Sequence, residues 1–263
     1  MTFLKEIAFK STAQLPGEFP FTLPVIESLS SLAFESPVTF FVGENGSGKS
    51  TMLEAIAVGM RCPAMGAADV SRDPLMEHAS RLAGEMVFSR KKAPRHKLFF
   101  RAEDAIGFTR RLMENMSDLA GIEEHFDKTL SGYGKTLATG VAKSQRTAIE
   151  RRYGRNPDAR SHGEWFIEMI KTRVHDNGLY LFDEPETPLS PVHQLSLLSI
   201  INDQVGRNCQ FIIATHSPIL MALPGARILN FDQRIEPVAW QDVEHVAITR
   251  AFLNNPESFL RHL

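Results

Sequence analysis

The 263-residue chain is poor in cysteine, tryptophan and tyrosine, with two, two and three of them, and its formal net charge is only −2. Each shortage excludes something. Cys62 and Cys209 are far apart and make no metal-binding spacing, so they are expected as small buried apolar groups in a reducing compartment. A net charge near zero supplies no global basic field, so any nucleic-acid surface has to be local. No apolar run approaches the roughly 18 residues of a membrane span. Lys5, Glu6 and Lys10 interrupt the apolar residues of the N-terminus, which therefore lacks a signal-peptide pattern, and the expected location is cytoplasmic. Internal repeats and low-complexity tracts are also missing.

What is present suits a globular α/β protein. Apolar residues make up 43% and charged residues 23%, and the length allows one large α/β domain or two small ones. The most informative stretch is Gly43-Glu44-Asn45-Gly46-Ser47-Gly48-Lys49-Ser50-Thr51, which has the form G-x-x-x-x-G-K-[ST] of a phosphate-binding loop. An apolar run, Val38 to Val42, precedes it as a buried strand, and Thr51 to Val58 follows as a helix. Glycines 43, 46 and 48 let the backbone turn its N–H groups around phosphate oxygens, helped by the positive end of the helix. Lys49 would reach the outer phosphates and Ser50 would ligate Mg²⁺.

Further strands are expected at residues 2–10, 86–88 and 98–100, with turns and short edge strands across 11–37. Phe19 and Phe21 read either as base-stacking aromatics or as packing residues. Residues 61–80 read as loop. The stretch Arg90-Lys91-Lys92-Ala93-Pro94-Arg95-His96-Lys97 reads as a basic hairpin tip, serving either as a solvated turn or as a contact for a phosphate backbone. Residues 103–176 read as mostly helical. Gly132 to Thr136 imitates a second phosphate loop but lacks its first glycine and its strand, and reads as a flexible loop. Lys143, Arg146, Arg151, Arg152, Arg155 and Arg160 form a second cationic cluster, with a solvated face as its simplest reading.

The last third is strongly patterned. Gly178 to Phe182 is a buried strand ending in Asp183 and Glu184. Ser190-Pro191 opens a helix, and Gln210 to Ala214 is a strand ending in Thr215 and His216. Another strand is expected at 227–231 and a helix at 241–253. Apolar strands alternating with helices imply a parallel sheet covered on both faces. Such sheets gather ligands at the carboxyl ends of their strands, which puts Asp183, Glu184 and His216 beside the phosphate loop. Asp183 can hold Mg²⁺ through its water shell, opposite Ser50. Glu184 can orient and deprotonate the water that attacks a γ-phosphate, and His216 can contact that phosphate.

With these residues in place, the chain resembles the ATP-binding-cassette class of ATPases. Leu179 to Glu184 resembles its Walker B strand with the catalytic glutamate, and Thr215-His216 its switch histidine. Thr187 to Ser190 stands where that class has its D-loop, with Ser190 in place of the usual aspartate. Ser161-His162-Gly163-Glu164 stands where it has its L-S-G-G-Q signature, with Ser161 and Gly163 matching. The loop sequence, Thr215-His216-Ser217-Pro218 and the Phe252 to Glu257 ending are similar to the branch holding SMC-like heads, and within it to stand-alone bacterial AAA-type predicted ATPases. An SMC-type rod is not expected, because the interval 103–160 has no sustained heptads.

The resemblance implies a P-loop ATPase with an ATP-binding core from residues 1–103 and 177–263 and a helical subdomain from 104–176. It implies ATP and Mg²⁺ as ligands and a Q-loop candidate at Glu103. It also implies an ATP-dependent homodimer in which Ser161 and Gly163 of one subunit cap the nucleotide of the other. The load is expected to be linked to nucleic acid, in repair or defence. The alternatives are the ATPase subunit of a membrane transporter or an ATP-dependent switch for a protein partner.

Overall fold

The computed structural model describes residues 2–11, 15–65, 76–153 and 162–261. In chain order its strands are β1 (Leu4–Phe9), β2 (Ser31–Ala33), β3 (Val38–Val42), β4 (Met86–Arg90), β5 (His96–Arg101), β6 (Gly178–Asp183), β7 (Gln210–Ala214), β8 (Arg227–Asn230) and β9 (Glu236–Pro237). The helices are α1 (Pro24–Glu27), α2 (Lys49–Gly59), α3 (Glu77–Gly84), α4 (Ala102–Thr129), α5 (Gly132–Tyr153), α6 (His162–Arg173), α7 (Pro191–Gly206), α8 (Glu244–Asn254) and α9 (Pro256–Leu260).

The larger sheet has the order β5-β6-β7-β3-β8-β9 and is parallel except for β9. Its central strands are buried on both faces, and their period-two alternation splits them between two cores. Phe41, Leu179, Leu181, Ile212 and Ala214 face the first core, filled by Met52, Leu53 and Ile56 of α2 and Leu82 of α3. Phe40, Tyr180, Phe182, Phe211 and Ile213 face the second, filled by Phe166 and Ile170 of α6 and Leu197 and Ile201 of α7. The strands therefore read as continuous apolar runs, because neither face meets water.

The smaller sheet is antiparallel, in the order β2-β1-β4, and its Leu4 and Ile7 join the first core. One buried amide ties the two sheets together. Gln210 Oε1 accepts the N–H groups of Phe3 and Leu4 at 2.7 and 2.9 Å, and Gln210 Nε2 donates to the Leu4 carbonyl at 3.0 Å. These bonds satisfy backbone groups at the start of β1 that are sealed from solvent.

Helices fill most of the interval expected to be helical. The ion pairs Lys135–Asp127 at 2.8 Å and Arg146–Glu123 at 3.2 Å set α4 and α5 antiparallel, so they form a two-helix hairpin. The 28 residues of α4 give it a length of about 42 Å. Among the described residues no helix is long and apolar enough to cross a membrane.

Several expectations need correction. The basic stretch 90–97 is not a hairpin tip: β4 pairs with β1 in one sheet and β5 with β6 in the other, so the stretch is a crossover between sheets. Partner choice is non-local, and β1 offers β4 an apolar edge that the local pattern does not reveal. Gly132 to Thr136 is not a loop but the first turn of α5; Gly132, at φ +66°, makes the bend from the end of α4. Residues 61–80 are not loop throughout, because α3 begins at Glu77. Phe21 is buried in the first core and cannot stack on a base, whereas Phe19 is exposed and packs edge-on against His78. Cys62 and Cys209 are buried and free, as expected, and burial pushes the Cys62 thiol up to about 12.

Candidate functional site

The carboxyl ends of β3, β6, β7 and β8 lie side by side, and the polar residues that follow them converge. After β3 the chain enters the loop 43–48 and then α2. Gly43, Gly46 and Gly48 take φ of +136°, +82° and +100°, which side chains with a Cβ rarely adopt. Glu44, Asn45 and Gly46 are exposed at the tip. Lys49 is 5% exposed, and its Nζ donates to the carbonyls of Gly43 at 2.8 Å and Glu44 at 2.7 Å. Ser50 and Thr51 follow on the first turn of α2.

β6 delivers the acids. Asp183 Oδ1 accepts the Ser50 hydroxyl at 3.0 Å, joining the strand end to the start of α2. Glu184 sits at φ +48°, a backbone conformation that costs a non-glycine residue about 1 kcal/mol or more. Its N–H still reaches the Ala214 carbonyl at 2.9 Å, so the kink occurs without loss of the link to β7. β7 delivers His216, whose Nε2 lies 3.9 Å from Glu184 Oε1. The His216 ring also meets that of His245 from α8, edge-on, with centroids 4.9 Å apart. Together with Glu44, Asn45, Glu244, Ile248 and Thr249, these side chains line an open cleft of about 690 Å³.

Burial lowers the Lys49 pKa, and Glu184, Asp183, Asp232 and Glu186 oppose that fall. Asp183, Glu184 and Asp232 alone outnumber the one lysine, and this surplus of negative charge would repel a triphosphate unless a divalent cation enters with it. Burial lowers the His216 pKa as well, aided by Lys49 and His245 and opposed by Glu184, which favours the neutral imidazole. The residues fit a Mg²⁺-nucleotide on other counts. Among the described residues, Ser47 Oγ within the loop and His216 Nε2 beside Glu184 are buried with no hydrogen-bond partner, two polar atoms whose needs a ligand would meet. The Ser50–Asp183 pair offers oxygen donors of the kind Mg²⁺ prefers.

Most sequence-predicted site residues thus come together: the loop Gly43 to Thr51, Asp183, Glu184 and His216. Gly163 does not join them. It lies buried at the start of α6, where a Cβ would come within 2.5 Å of His193 Nδ1 on α7. His193 Nδ1 is in turn 3.1 Å from the hydroxyl of Ser190, the N-cap of α7. Ser161 and the side chain of Glu103 lie outside the described residues, as do the side chains of Arg151, Arg152, Arg155 and Arg160.

Three neighbours escape the motif reading. Asp232, just past β8, accepts the Glu44 N–H on Oδ1 at 2.7 Å and braces the loop. Glu186 accepts the His216 N–H at 2.7 Å. His245 comes from α8. For Asp232 a signal existed: it is a polar residue just after a buried strand, the rule that singles out Asp183 and His216.

A phosphate loop, an acidic strand end and a histidine strand end on the carboxyl edge of one parallel sheet define a P-loop NTPase fold. The lineage follows from a family model described as an AAA domain, which matches residues 24–156, just over half of the chain. The chain belongs to this AAA-domain family. No curated protein matches it in sequence. Among solved structures it is similar to the Smc head domain with an extended coiled coil bound to the C-terminal domain of ScpA, derived from Pyrococcus furiosus, with TM-score 0.47 and 11% identity over 95% of this chain and 99% of that one. It is also similar to a nucleotide-free ATP-binding cassette from an ABC transporter, with TM-score 0.47 and 14% identity over 97% of each chain. A third is the SMC head domain from Thermotoga maritima, with TM-score 0.41 and 14% identity over 90% of this chain and 100% of that one.

Proposed function

We propose that the protein hydrolyses ATP with Mg²⁺ and that two subunits engage around the nucleotide. The observation that carries the reading is the convergence of Lys49, the Ser50–Asp183 pair at 3.0 Å and the Glu184–His216 contact at 3.9 Å on one sheet edge. In this reading the N–H groups of Gly43 to Thr51 hold the phosphates, and Lys49 exchanges its loop carbonyls for phosphate oxygens. Ser50 and Asp183 would hold Mg²⁺, which when bound neutralises phosphate charge. Glu184 takes the proton of the attacking water, and neutral His216 offers one ring nitrogen to the γ-phosphate side.

Residues 1–103 and 177–263 form the ATP-binding core and 104–176 a helical subdomain. The cleft beside Glu184 is open, which supports its completion by a second subunit; in this reading Ser161 and the backbone N–H of Gly163 supply the cap. Closure on ATP and opening after hydrolysis is the mechanical output.

The load is a nucleic-acid backbone, in a repair or defence process. Support comes from the exposed Arg90, Lys91, Lys92 and Arg95 in the crossover before β5. That crossover lies at the amino end of β5, the edge opposite the phosphate loop, so both could be occupied together. The other cations contribute less. Arg101 is 5% exposed against Glu54, and Arg146 is paired with Glu123 and Glu150. DNA should stimulate ATP turnover with a steep salt dependence, and Lys92→Glu with Arg95→Glu should abolish that stimulation. Turnover indifferent to DNA, RNA and the double variant would remove the nucleic-acid reading, leaving a protein-partner switch or a transporter ATPase subunit. Lys49→Ala tests the site itself: it should lose ATP binding, and retained affinity would mean the phosphates bind elsewhere.

A further inference from the structure

Glu186 lies two residues beyond Glu184, in the turn that leads from β6 towards α7. Thr187 N–H reaches the Glu184 carbonyl at 3.1 Å and Leu189 N–H the Glu186 carbonyl at 2.8 Å, and this tight path folds the Glu186 side chain back towards β7. The ladder between β6 and β7 ends at the bond from Glu184 N–H to the Ala214 carbonyl. Beyond that point Glu186 Oε1 takes over, accepting the His216 N–H at 2.7 Å. The rest of the β7 exit is held by other groups. Ser217 N–H bonds Thr215 Oγ1 at 3.0 Å, the Ser217 hydroxyl bonds Gln194 Oε1 at 2.6 Å, and Trp240 Nε1 bonds the Pro218 carbonyl at 3.0 Å. Among the described residues, the bond to the histidine's own backbone N–H is the one made by Glu186.

We infer that Glu186 is a positioning residue, whose carboxylate fixes the backbone of His216 to the acid end of β6 so that the imidazole and Glu184 keep one shared geometry. The inference rests on the ATPase reading above and adds to it a coupling between the strand that carries the base and the strand that carries the histidine. A bond from the β6 turn to the His216 backbone makes the two strand ends move as a unit when phosphate binds or leaves. Glu186 reaches the phosphate loop only through a small charge effect on Lys49, the weakest of those from the four acids there, so substrate binding depends little on this bond. Misplacement of a group that acts only on the reacting phosphate lowers turnover rather than affinity.

The test uses the full chain with Glu186→Ala, Glu186→Asp and Glu186→Gln. Gln keeps an acceptor oxygen at the same reach, while Asp keeps the charge but falls short by a methylene. We expect Ala and Asp to lower kcat about 10-fold or more with KM for ATP-Mg²⁺ changed less than about twofold, and Gln to stay within about threefold of the parent. The second readout needs no turnover: an NMR titration of the His216 ring without nucleotide. The groups around that ring are Glu184 and Glu186 from β6 and its turn, Lys49 from α2 and His245 from α8. Release of the His216 backbone should hydrate the ring and move its midpoint up towards 6.5 in Ala and Asp but not in Gln.

Parental kinetics and an unmoved titration in the Asp variant would overturn the inference. So would a Gln variant impaired as badly as Asp, because the group would then act as a charge and not as an anchor. Should Ala fail to fold, Asp against Gln decides. A parent without ATP turnover would sink the ATPase reading alone, and the titration would still decide the anchor.

Discussion

The Ser50 hydroxyl donates to Asp183 Oδ1 across 3.0 Å, binding the first turn of α2 to the end of β6. The two residues lie 133 positions apart in sequence, yet they present a hydroxyl and a carboxylate to one point beside Lys49. In the ATPase account this pair sets the Mg²⁺ requirement, with Asp183 acting through the metal's water shell. Asp183→Asn should therefore raise the Mg²⁺ concentration for half-maximal turnover by about 10- to 100-fold, as for an outer-shell partner of a metal. A Mg²⁺ titration of ATPase rate checks it, and an unchanged midpoint would place the metal elsewhere.

Gly43 and Gly46 should respond differently to alanine. A Cβ on Gly43 would come within 2.7 Å of Asp232 Oδ1 and 3.2 Å of Asn230 Oδ1, at φ +136°. A Cβ on Gly46 meets nothing within 4 Å, and only its φ of +82° opposes it. Gly46→Ala should cost about 1 kcal/mol of stability, and Gly43→Ala about 2–3 kcal/mol because the Asp232 brace must also shift. Urea unfolding measures both, and ATP titration should show the weaker binding in Gly43→Ala.

The buried amide of Gln210 should matter more than its uncharged character suggests. Gln210→Ala leaves the N–H groups of Phe3 and Leu4 without their acceptor, at about 1–3 kcal/mol for each buried group. A loss of about 3 kcal/mol is expected in urea, with the amides of Phe3 and Leu4 exchanging faster with solvent. A loss below about 1 kcal/mol would mean that β1 finds other partners.

Stability should depend on pH with two opposite slopes. Below 6.5 the unfolded chain protonates His216 while the folded chain resists, so stability falls as pH drops from 6.5 through the lowered folded value. Glu186 behaves in the opposite way. Burial raises its carboxyl, with a contribution from Glu184, while N–H groups of His216 and Glu186 itself and the Thr215 hydroxyl counter the rise. Above 4.5 the unfolded chain has released a proton that the folded chain keeps, so stability falls as pH rises through the raised folded value. His216→Gln should flatten the acid slope, and Glu186→Gln should raise stability at neutral pH while leaving it little changed near pH 4. Urea midpoints across pH 4 to 8 separate the two, and a Glu186→Gln variant less stable at pH 8 than its parent would reverse the assignment.

The nucleotide edge was legible because its residues obey a local rule. Gly43 to Thr51 carry their own motif, and Asp183, Glu184 and His216 each end an apolar strand in a polar group that has no reason to be there except a ligand. Asp232 obeys the same rule after Phe231, but its role is non-local: it braces the Glu44 N–H of a loop 188 positions away, which no local pattern states. Glu186 was hidden in the same way: its partner is the backbone of a residue on a different strand, and no pattern within Glu184-Pro185-Glu186 states where that side chain folds. Strand partnership failed at β4 and β5 for the same non-local cause. Arg101 shows the limit of charge counting, since this cation at the end of β5 is buried against Glu54 and lies over the ring of Phe99.

The central claim is ATP-driven engagement of two subunits with Glu184 as the base. It is tested most directly by the molar mass in solution of Glu184→Gln with and without ATP-Mg²⁺, measured beside its ATP turnover. The account predicts a monomer without nucleotide, a stable dimer with ATP-Mg²⁺, and turnover about 100-fold or more below the parent. A variant that hydrolyses ATP at the parental rate would assign the base to another residue, and one that binds ATP-Mg²⁺ yet stays monomeric would contradict the engaged dimer.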